Sequence, residues 1–242
     1  MNTDDQPTPP PLQPKHVASH KPLPKNPTIV QVLECLLRSP LQLIEHFNSD
    51  DGSKVVGRML LATVVCLGAF GFFVGTFSMG EQLWAAPLKI VIGLLVATLL
   101  CFPSLYIFSN LSGLQVSFRA VAGMLLCAVC MVSLLLMSFA PVVWLFSQST
   151  THLAFVGPLN LLVWVIALWF GIGLIMRGAM IMGAREAGYL KVWVGVFVLV
   201  LMQMSTSLRP IIGTADEQFT TEKVFFVQHW IDSLKEDTKT RN

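Results

Sequence analysis

The stretch Pro103–Pro141, PSLYIFSNLSGLQVSFRAVAGMLLCAVCMVSLLLMSFAP, decides how the chain folds. One apolar segment ends at PSLYIF and crosses a short polar joint, Ser109 to Arg119. A second apolar segment then begins at Ala120. Both are long enough for the roughly 20 residues a helix needs to cross hydrocarbon, so they read as two membrane spans meeting at a tight turn. Further apolar runs lie on either side. The fold class expected is therefore all-α: an integral membrane helical bundle with about five transmembrane helices, flanked by amphipathic helices.

Composition agrees. Hydrophobic residues make up 54 % of the 242 and charged residues 12 %, with a mean hydropathy of +0.66, which places the chain in the membrane class. Only eight Asp, Glu, Lys and Arg residues fall between Met59 and Pro210: Glu81, Lys89, Arg119, Arg177, Arg185, Glu186, Lys191 and Arg209. Each is expected at or near the end of an apolar run, because a charge at mid-span costs roughly 2.5 to 3.5 kcal/mol. A net charge of +2 is too small to point to nucleic acid.

The spans expected are Met59–Met79, Ile90–Ser109, Ala120 to about Phe146, Pro158–Met176 and Val192–Leu208, within a membrane domain over 58–209. Pro141 is expected to end or kink the third. Beyond Met176 the helical run RGAMIMGAREAGYLK is expected to extend past the bilayer.

The flanks differ from this block. Residues 1–27 carry eight prolines and little to bury, the composition of a disordered cytoplasmic tail without signal-peptide features. Over 28–48 an apolar face (Ile29, Leu33, Leu36, Leu37, Leu41, Ile44, Phe47) opposes Gln31, Glu34, Arg38, Gln42 and Glu45. Ser39-Pro40 predicts a bend between two short helices. This segment is better placed lying on the membrane surface than crossing it, with packing on the bundle's own cytoplasmic loops as the alternative. Within 214–242, Val224, Val227, Trp230, Ile231 and Leu234 share a second amphipathic face, with Trp230 and Ile231 as candidate anchors or partner contacts.

Six cations near span ends (Lys54, Arg58, Arg119, Arg177, Arg185, Lys191) oppose three (Lys89, Arg209, Lys223). This puts the N-terminus in the cytoplasm and, with five spans, the C-terminus outside. Lys89 and Arg209 are expected to snorkel to the interfaces.

Small residues mark expected helix contacts: Gly71 and Gly75, one turn beyond Gly68, and Ala179 with Gly183. Internal packing is the default reading and a homo-oligomer face the sharper one. Asn160 and Gln203 are the polar residues best placed inside spans, as interhelical glue or as pathway lining. Ser133, Ser138, Ser205 and Thr206 are expected to bond their own backbone.

Chemistry is sparse. His152, His229, Glu81 and Glu186 sit in loops or at edges, and no catalytic, cofactor-binding or metal-ligating set is identified. Cys127 and Cys130 have redox or metal spacing, but hydrocarbon disfavours thiolates, so packing is expected of them. With five cysteines, four of them inside apolar spans, a disulfide framework is not expected.

Three stretches resemble bacterial members of the Yip-domain family, relatives of the Ypt/Rab-interacting membrane proteins: LLRSPLQLIEHF, PSLYIF, and SGLQVSFRAVAGMLLCAV, within residues 30–205. The resemblance implies a five-span helical domain without enzymatic activity, of a kind associated in eukaryotes with membrane trafficking and in bacteria with no settled role; the location expected is a bacterial inner membrane. The leading expectation is a non-enzymatic membrane protein that organises or recruits partners, with the two amphipathic segments as its contact surfaces and the lipid bilayer and a membrane or peripheral protein as its contacts. The alternative is a small channel, transporter or membrane-perturbing subunit that forms a pathway by oligomerisation.

Overall fold

The computed structural model describes residues 27–40, 43, 47, 52–76, 82–114, 117–149 and 153–207. The Pro-rich tail over 1–26, most of 41–51, Glu81, His152 and everything from 208 onward, including Trp230, Ile231 and His229, lie outside the described residues. Six helices make up the described chain: α1 Ile29–Arg38, α2 Gly52–Gly75, α3 Gln82–Leu111, α4 Phe118–Ser149, α5 Leu153–Ile181 and α6 Gly188–Ser207.

Four of these, α2 to α5, are long and apolar enough to cross a membrane. In α6 the apolar stretch is the shorter Gly188–Met204. The outer surface is apolar as well: Trp84 and Trp169 are each 77 % exposed and Leu99 71 %. Water would not tolerate so much uncovered apolar surface, whereas lipid is its natural solvent. This is the architecture of an integral membrane protein.

At the centre stands α4, with 67 % of its apolar stretch buried, against 28 % to 39 % for α2, α3 and α5. Around it, α2 packs on α4 and α3, α5 packs on α4, and α6 packs on α3. Close approach depends on missing side chains. A Cβ on Gly71 would lie 2.5 Å from the Cα of Pro87, so α2 and α3 touch backbone to backbone there. Gly171 makes room in another way between α5 and α4, where a Cβ would meet the Val132 side chain at 2.5 Å and the Ala128 carbonyl at 3.2 Å.

Tryptophan supplies the polar tie. Trp193 on α6 is fully buried and stacks on Phe197, and its indole N–H donates to the carbonyl of Cys101 (3.1 Å) and to Ser104 Oγ (3.2 Å) on α3. Elsewhere hydroxyls bond within their own helices: Ser133 to the Cys130 carbonyl, Ser138 to Leu134, Thr98 to Leu94. That matches the reading of Ser133 and Ser138.

Several expectations need correcting. Of the two outcomes expected at Pro141, an end to the helix does not occur, because α4 continues to Ser149; membrane helices tolerate proline where neighbouring groups satisfy the freed carbonyl. Lys89 lies about two turns inside α3, which begins at Gln82, and is buried against the bundle. Gly183 is no helix contact. It lies past the end of α5 with φ +98° and open space around it.

Candidate functional site

The features that sequence leaves unassigned gather at one end of the bundle, where α3 gives way to α4 and α5 to α6. Both turns have the same construction. After α3, the Gly113 N–H donates to the Asn110 carbonyl (2.9 Å) and the Leu114 N–H to that of Ser109 (3.2 Å). After α5, the Gly183 N–H donates to Met180 (3.2 Å) and the Ala184 N–H to Ala179 (3.0 Å). These are paired Schellman motifs, each with glycine in the left-handed region, φ +84° and +98°. Leu114 and Ala184, the residues after each glycine, are buried.

The two turns are joined. The Arg185 N–H donates to the Ser112 carbonyl at 2.9 Å, with a longer bond from the Glu186 N–H at 3.5 Å. The Arg185 side-chain stem lies over Gly113, with carbons 3.6–3.7 Å from where a Cβ would stand. The start of α4 is pinned too. Ser117 Oγ accepts from the Ala120 N–H (3.2 Å), and the Phe118 ring meets Phe102 (4.6 Å) and Tyr106 (5.4 Å) edge-on.

Onto this end α1 is laid, against α2 and α4. A capping box starts it: Thr28 Oγ1 accepts from the Gln31 N–H and Gln31 Oε1 from the Thr28 N–H. It ends at Arg38, with the Ser39 N–H bonded to the Cys35 carbonyl, so the predicted break before Pro40 is present. Val32, Leu36, Leu43 and Phe47 are buried, and the Phe47 ring occupies the space a side chain on Gly123 would need. Docking on the bundle, left open by sequence, is therefore made by the inner edge of this segment. Burial, then the Glu34 carboxylate, pushes the Cys35 thiol above its ordinary range, which keeps it protonated at neutral pH.

The charge is one-sided. Arg38, Lys54, Arg119, Arg177, Arg185 and Lys191 are exposed here and Arg58 is partly buried, with Glu34 and Glu186 the acids among the described residues of this end. Glu34 is paired with Arg38 at 3.2 Å. The surface is therefore positive, and it is built on a bonded backbone.

The residues singled out by sequence are not brought together. Gly71 and Gly75 are buried in the far half of α2, against α3 in the case of Gly71, while Gly68 meets nothing. Asn160 is buried near the start of α5, its Oδ1 without a hydrogen-bond partner. Gln203 is exposed on α6. Between α3, α4, α5 and α6 runs a shallow groove lined by Leu94, Val129, Val132, Leu168, Ile172 and Phe197, with no polar lining. Cys101, Cys127 and Cys130 are buried free thiols. Among the described residues no three His, Cys, Asp or Glu side chains gather as a metal ion would need.

Sequence reasoning missed Trp193, Gly171 and the docked turns. Ala167 and Gly171 do carry a small-xxx-small signal, and glycine just past the last apolar residue is a helix-stop signal at both Gly113 and Gly183. Comparison of the chain with protein-family models, with curated proteins and with solved structures returned no match.

Proposed function

We propose that this is a non-enzymatic integral membrane protein that recruits or organises other proteins, and that the cation-rich end of the bundle is its contact surface. The observation that carries this reading is the bond between the two turns, Arg185 N–H to the Ser112 carbonyl. It holds exposed Arg119, Arg185, Glu186 and Lys191 on a rigid base, so a partner would meet a surface already ordered. Such a pattern favours an acidic partner surface. The excess of Lys and Arg supports placing this end in the cytoplasm of a bacterial inner membrane, with the N-terminus on the same side. A relation to Yip-domain proteins, implied by the LLRSPLQLIEHF, PSLYIF and SGLQVSFRAVAG stretches, belongs to the same proposal.

The test is affinity capture from detergent-solubilised membranes with the parent and with Arg185→Glu/Lys191→Glu. Side-chain replacement leaves the Arg185 backbone bond in place. A partner captured by the parent should be lost with the variant. Equal capture by both, or a partner held only through residues 219–242, would contradict the role given to this end.

A further inference from the structure

We propose that α1 is a membrane-interface helix, whose outer apolar edge sits in the lipid leaflet that surrounds the cation-rich end. The helix is apolar over more of its circumference than the bundle covers. Val32 and Leu36 face inward, 1 % and 0 % exposed. Val30 and Leu37 are 73 % and 59 % exposed, and with the half-buried Leu33 they form a second stripe at i, i+3 and i+7. Gln31, Glu34 and Arg38 occupy the remaining arc, with Glu34 and Arg38 in an ion pair. Three edges thus meet three surroundings: protein, an apolar phase and water.

Position identifies the apolar phase. The helices beside α1 are α2 and α4, both long and apolar enough to cross a membrane. Lys54 and Arg58 lie in the first two turns of α2, at the end of that apolar helix where cations would meet lipid phosphates. A helix lying in that plane with its apolar edge down buries side chains at the acyl boundary while its charged pair stays wet. A second copy is the poorer occupant. Three side chains cover a small part of the roughly 800 Å² per partner that a stable dimer buries.

A photoreactive amino acid placed singly at Val30, Glu34 or Leu37 of the full-length protein, reconstituted in phosphatidylcholine and phosphatidylglycerol vesicles, tests this. Val30 and Leu37 project away from the bundle, so the probe fits without repacking. After illumination, mass spectrometry should find lipid adducts at positions 30 and 37 on the order of tenfold above position 34, as expected if each apolar side chain favours lipid by about one decade. Adducts no more frequent at 30 and 37 than at 34, or crosslinks between two protein chains in their place, would overturn the proposal. No protein partner enters the measurement, so it stands or falls separately from the recruiting role.

Discussion

Gly71 holds α2 against α3 by having no side chain. A methyl group there meets Pro87 backbone, which cannot rotate aside, so the two helices must part. Gly71→Ala should destabilise the protein by about 1 to 3 kcal/mol, the usual cost of overpacking. Gly68→Ala, with nothing within 4 Å of the added carbon, should cause no loss. Thermal unfolding of the purified protein in detergent compares them, and equal midpoints for the two variants would contradict the packing described. The GxxxG spacing made Gly71 legible in advance. Trp193 was not legible, because a tryptophan within an apolar run reads equally as a lipid-facing ring, and only the fold brings its N–H to the Cys101 carbonyl. Asn160 and Gln203 looked equivalent in sequence, yet one is buried and the other exposed, since helix rotation is set by neighbours absent from a local pattern.

At the scale of elements, spans were legible because hydropathy alone selects them, but their ends were not. Helices α2, α4 and α5 run past the hydrocarbon-length estimates, to Gly52, Ser149 and Ile181, since backbone hydrogen bonding continues after the apolar signal stops. The turns obey a different chemistry. Gly113 and Gly183 hold left-handed φ values that cost an alanine about 1 to 2 kcal/mol, so Gly113→Ala and Gly183→Ala should each destabilise by that amount. Their turns share the Arg185–Ser112 bond, so the double variant should depart from additivity, with an interaction energy of about 0.5 kcal/mol or more. Denaturation of the four proteins of this cycle gives the number. Strict additivity would mean that the turns act independently despite their contact.

For the whole molecule, the chain passes up and down five times if α6 crosses with the rest. Its 20 residues extend about 30 Å, the thickness of the hydrocarbon core, though its apolar stretch, Gly188–Met204, is shorter than those of α2 to α5. Packing along α3 and the buried Trp193 ties favour crossing, because lying flat would break both. With α6 crossing, parity would put residues 27 and 207 on opposite sides, with the cation-rich end on the side of residue 27. The most direct test is a reporter that is active only outside the cytoplasm, fused in one strain near Lys25 and in another after Asn242. Five crossings with the positive end inside predict silence from the first and activity from the second. Silence from both would mean that α6 does not cross, and activity from the first would mean that the cation-rich end faces outward.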